Sequence, residues 1–201
     1  MKLYYAPGAC SLAVHICMRE TGTSFEGMKV DLGKHVTEDG TDFYTINPKG
    51  AVPTLEFDNG ERLTELAVIC AYVCDRSGRT DLMPDWGSIA RYRVMEWQNY
   101  VATELHKGFG PFFNPMLGAD VKKIFAQALE RKFAWVSSCL EGRSYLTGED
   151  FTAADAYLFT IARWAPGMNV DISSCTHLKA FQERVAARPG VAEALRAEGL
   201  T

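Results

Sequence analysis

The 201-residue chain predicts two domains of different class: a small α/β domain over residues 1–77, a linker over 78–88 and an all-helical domain over 89–201. Two observations carry this reading. Residues 2–30 run strand, helix, strand, and residues 54–64 read as a hairpin. After residue 88 the strand signals fade and the apolar spacing becomes helical throughout.

The elements follow in order. KLYYA (2–6) is the first strand; residues 11–21 form a helix in which Gly22 supplies the stop. EGMKV (26–30) is the second strand, a parallel neighbour of the first by the handedness of crossover connections. TLEF, DNG and ERLT (54–64) make a hairpin turned at Asn59-Gly60, and ELAVICAYVCD (65–75) is an apolar helix against the sheet. The stretch RSGRTDLMPDWGS (76–88) supplies the linker. A long helix is expected over 89–109, broken by GPFFNPM (110–116), whose glycine and prolines cannot continue it. Further helices are expected over 120–141, 152–164, 178–187 and 190–198. FTAADAYLF opens with Thr152 as N-cap and Asp155 three residues on, a capping-box variant with a folding role.

Composition narrows the functional classes. The formal net charge of -4 and the lack of a Lys/Arg cluster argue against a broad nucleic-acid footprint. No apolar run reaches the length of a membrane span, and MKLYYAPGAC lacks the apolar core of a signal peptide, so no membrane partner and a cytoplasmic location are expected. Six cysteines, at 10, 17, 70, 74, 139 and 175, form no CxxC pair. Cys70 and Cys74 lie one helical turn apart, with no His or further Cys close by in sequence, and read as small core residues; no metal is expected.

Four stretches could carry chemistry. Cys10 follows Pro7-Gly8-Ala9 at the mouth of the first helix, where partial positive charge and free N–H groups lower a thiol pKa. It is either an activated thiol or a structural cysteine. Ser11 offers a hydroxyl, and Tyr4 or Tyr5 a phenol, one of them pointing into the core. In AVPTLEF (51–57), Pro53 heads a strand, so its neighbours expose backbone groups to which an extended peptide-like ligand can pair. In LTELA (63–67), Glu65 opens a helix, a place that suits either its own carboxylate or a ligand's. Asn99, Thr103 and His106 share a helix face by their i, i+4, i+7 spacing, with Glu104 and Lys107 beside it. That stripe is either a solvated face or, through an imidazole beside aromatics, a thiol partner.

Together, KLYYAPGACSLAVHI…RE, VDL, INPKGAVPTLEFDNGERLTE, ELHKGF and FTAADAYLF closely resemble the bacterial beta-class cytosolic glutathione transferases, over nearly the whole chain. The resemblance implies a thioredoxin-like N-terminal domain, an all-α C-terminal domain, a homodimer, and conjugation of glutathione, the co-substrate, to small hydrophobic electrophiles. It implies that Cys10 approaches or bonds the glutathione sulfur. Val52 would pair with the cysteinyl backbone, Pro53 would be a cis proline, and Glu65 with the backbone of Leu66 would hold the γ-glutamyl end. Asn99, Thr103, Glu104 and His106 would line the site from the helical domain, with Cys10 and His106 the catalytic pair. Phe109, Phe112, Phe113, Met116 and Trp164 are candidates for the second-substrate pocket or for core.

Two positions depart from the family pattern. Leu66 stands where a small Ser or Gly is usual, and His35, beside Lys34, stands where a lysine would meet a glutathione carboxylate. Two further readings stay open: a glutathione-dependent thiol-disulfide reductase or peroxidase working through a Cys10 mixed disulfide, and a non-catalytic ligand-binding protein of the same fold.

Overall fold

Strands β1 (Lys2–Tyr5), β2 (Glu26–Asp31), β3 (Val36–Thr37), β4 (Thr54–Glu56) and β5 (Arg62–Thr64) form one mixed sheet in the order β3-β2-β1-β4-β5. They are seen in the computed structural model, which describes residues 1–201. β1 runs parallel to β2; the β1–β4, β2–β3 and β4–β5 pairs are antiparallel. The crossover from β1 to β2 is α1 (Leu12–Glu20), as the strand-helix-strand reading expects. The two-residue β3 has no sequence signal of its own.

Alternation along the strands gives the sheet two cores. Leu3 and Leu55 pair in register and are fully buried. Tyr4, Met28 and Val30 join Phe43, Ile46 and Val52 in a second cluster. Residues Leu12 through Met18 of α1 are all buried, because α1 packs against both α2 (Leu66–Ser77) and α8 (Pro189–Ala197). Between α1 and α2, Cys17 lies close to Cys70 and Cys74, and all three are buried. Burial and these neighbours hold Cys17 and Cys74 well above the ordinary thiol range. The pair at 70 and 74 is core, and Cys17 is the nearby thiol that sequence spacing did not place there.

The chain forms two compact units, Met1–Thr80 with Ala187–Thr201, and Asp81–Ala186. The last helix, expected with the helical domain, thus belongs to the α/β unit. Its apolar residues Val191, Ala194 and Leu195 are buried. The buried Glu198 carboxylate lies 2.9 Å from His15 Nδ1 and accepts the Gly8 N–H at 2.9 Å. Arg188 clasps Glu20 through two bonds, of 3.0 and 2.7 Å.

The other unit is helical: α3 (Ile89–Tyr100), α4 (Ala119–Cys139), α5 (Ala153–Ala162), α6 (Trp164–Gly167) and α7 (Thr176–Ala186). The long helix expected over 89–109 changes type instead. A π-helix covers Val101–His106 and a 3-10 helix Lys107–Phe113. The break at GPFFNPM is therefore a change of winding that carries Pro111 inside it, and the chain leaves the helix only at Asn114. No helix is long and apolar enough to cross a membrane.

α5 is mostly apolar, and every one of its residues is buried, Asp155 and Thr160 included. Its start is the capping box that the sequence predicts. Asp155 Oδ2 accepts the Thr152 N–H at 2.8 Å and its hydroxyl at 2.7 Å, and Oδ1 accepts the Leu146 N–H at 2.8 Å. Asp155→Ala strands three donors in the core and is expected to cost about 3 kcal/mol, against about 1 kcal/mol for Thr152→Ala. Urea unfolding with unchanged m-values checks both.

Candidate active site

Strand register brings the N-terminal motifs to one end of the sheet. Tyr4 pairs with Thr54 and Thr54 with Thr64. Because each pairing is antiparallel, the residues after β1, before β4 and after β5 emerge together. The first is the turn from Ala6 to Ser11. Ser11 is fully buried, its hydroxyl lying 3.2 Å from the Ala6 N–H and 3.3 Å from the Ala6 carbonyl. The Ser11 hydroxyl holds this turn and is not a free donor. Gly8 takes φ 72°, which a glycine adopts without strain.

The second segment is the loop into β4, which holds the cis Val52-Pro53 peptide. Buried Asn47 organises it, donating to the Ala51 carbonyl at 2.7 Å and the Thr54 hydroxyl at 3.1 Å. Val52 and Pro53 are themselves buried. The third is the start of α2. Glu65 precedes it at φ 72°, a left-handed conformation for a non-glycine residue. No side chain caps α2, so its first-turn N–H groups are left as donors. The Leu66 side chain is buried and turns into the core, so its bulk is accommodated there while its backbone stays at the helix mouth. The exposed Glu65 carboxylate pairs with Lys49 Nζ at 2.5 Å, and Nζ also reaches the Thr64 hydroxyl at 2.8 Å.

Cys10 closes this arrangement. Its Sγ donates to the Val52 carbonyl at 3.2 Å. Cys10 is half-buried, and the lowering of its pKa that a helix mouth predicts is opposed here. Burial pushes the Cys10 thiol up to about 12, although the N–H groups of Cys10 and Ser11 pull the other way and Glu65 adds to the rise. Desolvation outweighs the helix field, and Cys10 is a neutral donor at pH 7.

His35 sits at φ 54° with its ring 4.6 Å from that of Tyr44, and its buried Nδ1 has no hydrogen-bond partner. It packs over Gly50, where a Cβ would come 2.6 Å from the Tyr44 ring and 3.1 Å from Nδ1. Lys34 is exposed, 4.0 Å from Asp31.

In the helical unit, Asn99 and Thr103 are exposed, and the Thr103 hydroxyl donates to the Asn99 carbonyl at 3.1 Å. Glu104 is held by Lys132 at 2.8 Å, which keeps its carboxyl below the usual range. His106 closes the π-helix, and its side chain is part-buried where Asn99 and Thr103 are exposed. Its Nδ1 lies 2.7 Å from the Tyr157 hydroxyl, and its ring stands edge-on to Tyr157 and Trp164. Burial lowers the imidazole to about 4, with Lys107 adding to the effect. Among the pocket candidates, Phe109 is fully buried against Phe112, Phe133 and Trp164 and is core. Phe113 packs edge-on against Trp164 and is exposed, as is Met116; Phe112 and Trp164 are partly exposed. Sequence reading missed Lys49, Asn47 and Tyr157. The first two lie in the quoted INPKG, where only the following Val-Pro attracted attention; Tyr157 sits in an apolar helix and looks like packing.

A mixed sheet of this topology, with the Cys10 thiol on the Val52 carbonyl of a cis Val-Pro loop, defines a thioredoxin-like domain, and the second unit is all-helical. The family models for the glutathione S-transferase N-terminal and C-terminal domains match residues 8–76 and 100–189. The chain is 46% identical over 200 residues to the glutathione S-transferase GstA of Escherichia coli O157:H7, covering all of both chains. Two solved structures, each matched over the full length of both chains, are equally informative. A sphingomonad glutathione S-transferase complexed with glutathione has TM-score 0.95 and 41% identity. A beta-class glutathione S-transferase of Sphingomonas chungbukensis has TM-score 0.96 and 40% identity. The chain belongs to the glutathione S-transferase family.

Two outcomes are expected of the ligand-free protein. Iodoacetamide should alkylate Cys10 at pH 7.5 at least about tenfold more slowly than free cysteine, because so little thiolate is present; site-resolved mass spectrometry measures this. His106 has a folded pKa below its unfolded value, so the unfolded state binds the extra proton first. Its contribution to stability is whole above about pH 6.5 and is lost as pH falls toward about 4. Unfolding free energies across that window should fall less steeply in His106→Gln than in the parent.

Proposed function

We propose that the protein is a cytoplasmic, homodimeric glutathione transferase that joins the glutathione thiol to small hydrophobic electrophiles, a detoxifying conjugation. The observation that carries this is the meeting of Cys10, the Val52 carbonyl and the uncapped start of α2 at one end of the sheet. These are the groups that an extended tripeptide with a free γ-glutamyl carboxylate needs. The cysteinyl N–H of glutathione takes over the Val52 carbonyl, which frees the Cys10 S–H to turn toward the glutathione sulfur. A neutral thiol donating to a thiolate stabilises it and favours its attack on carbon. Glu65, the Leu66 N–H and Lys49 hold the γ-glutamyl end, where Lys49 answers the carboxylate and Glu65 the ammonium group. His35 with Lys34 serves the other carboxylate. Asn99, Thr103, Glu104 and His106 enter on the strength of the resemblance, and Phe112, Phe113, Met116 and Trp164 as apolar surface for the electrophile.

Disulfide reduction would make Cys10 a covalent participant, whereas its S–H, held on the Val52 carbonyl at 3.2 Å, suits a hydrogen-bond donor. Calorimetry with glutathione, followed by turnover of an apolar aromatic halide, tests the reading. Cys10→Ala is expected to keep conjugation within about tenfold, the range of one donor of modest strength, and to form no glutathione adduct by mass. No heat of binding at millimolar glutathione overturns the proposal in favour of a non-catalytic binder. Abolished conjugation together with a stable Cys10 adduct overturns it in favour of a reductase.

A further inference from the structure

His106 has two ring nitrogens, and the helical unit commits one of them. Nδ1 lies 2.7 Å from the Tyr157 hydroxyl. Tyr157 is 3% exposed and sits on α5, whose residues are all buried and whose start is locked by the Thr152–Asp155 box. The hydroxyl is thus presented from one of the most constrained elements of the unit. Edge-on contacts fix the imidazole plane as well: centroids lie 5.8 Å from Tyr157 at 81° and 5.1 Å from Trp164 at 73°. His106 is the last residue of the π-helix over Val101–His106.

Chemistry then orders the shared proton. A neutral imidazole carries one N–H. A phenol is a better donor than an imidazole N–H, and an imidazole nitrogen a better acceptor than a phenol oxygen. The bond is therefore O–H to Nδ1, and the ring proton resides on Nε2.

We propose that Tyr157 is the positioning residue of His106: its hydroxyl donates to Nδ1, fixes the Nε2–H tautomer and leaves Nε2 as a hydrogen-bond donor to a sulfur anion. This rests on the reading of the protein as a glutathione transferase that uses His106. It has a consequence for mechanism. With Nδ1 occupied and Nε2 protonated, His106 has no free lone pair, so it stabilises the glutathione thiolate and does not take the proton from the thiol.

Nitrogen-15 NMR of the imidazoles tests this in the native protein. The chain has four histidines, and His106→Gln assigns the signal. The expected spectrum shows His106 as a single tautomer with unprotonated Nδ1; an Nδ1–H tautomer overturns the proposal with no variant needed. In Tyr157→Phe the two nitrogen shifts should move toward a tautomer mixture, and kcat should fall about threefold to thirtyfold while KM for glutathione stays within twofold, the range of one hydrogen bond. Unchanged shifts overturn it. The double variant should be no slower than His106→Gln; a further loss means Tyr157 acts by another route and overturns it too. If His106→Gln conjugates as fast as the parent, the use of His106 fails, while the spectra still decide whether Tyr157 sets the tautomer.

Discussion

The antiparallel pairing of β4 against β1 is the constraint on which the N-terminal site depends. Tyr4 opposite Thr54 places the exit of β1 beside the entry of β4, and Thr54 opposite Thr64 adds the exit of β5. The site segments at residues 6–11, 47–53 and 64–66 become neighbours through these few pairs. Slipping β4 by one residue would turn fully buried Leu55 out of its core and move the Val52 carbonyl away from Cys10. The apolar contacts that set the fold's register therefore also set the geometry of its chemistry.

At Cys10 two effects of that geometry compete. The turn before α1 aims backbone N–H groups at the sulfur, which favours a thiolate. The same turn, tightened by Ser11 on Ala6 and tied down through Gly8 to Glu198, leaves Cys10 half-buried with its sulfur partly desolvated. A helix terminus is worth at most about 2 kcal/mol to a partly buried charge, whereas desolvating an ion costs several. Burial wins, and the thiol becomes a hydrogen-bond donor in place of a free nucleophile.

Much of this was legible in the residues. The crossover unit, the Asn-Gly hairpin, the domain change and the Thr152–Asp155 cap depend on local periodicity and turn chemistry, and all are found. What was not legible depends on partners distant in sequence. The fate of Cys10 is decided by its surroundings, which a helix-mouth argument does not count. The last helix joins the α/β unit because Glu198 and Arg188 find His15, Gly8 and Glu20, more than 160 residues away. The i, i+4, i+7 spacing assumes an unbroken α-helix, and the change to π winding at 101–106 has no signal in that spacing. Phe109 was offered as wall or core from composition alone, and its neighbours make it core. The glutathione roles of individual residues came from resemblance, since no spacing rule connects positions 10, 52 and 65.

Cys10 and His106 end in comparable states. Each is uncharged at neutral pH, Cys10 because burial raises it and His106 because burial lowers it. Each also has one hydrogen-bonding position engaged, Cys10 by the Val52 carbonyl and His106 by the Tyr157 hydroxyl. A protein that meant either group to carry charge would place an opposite charge against it; neither has one as a hydrogen-bond partner. Neutral, oriented donors suit an anion brought by the substrate, because they stabilise a thiolate without first having to lose or gain a proton. Burial thus acts on these two groups with opposite signs of pKa shift and to one effect: it keeps a polar hydrogen on each near neutral pH.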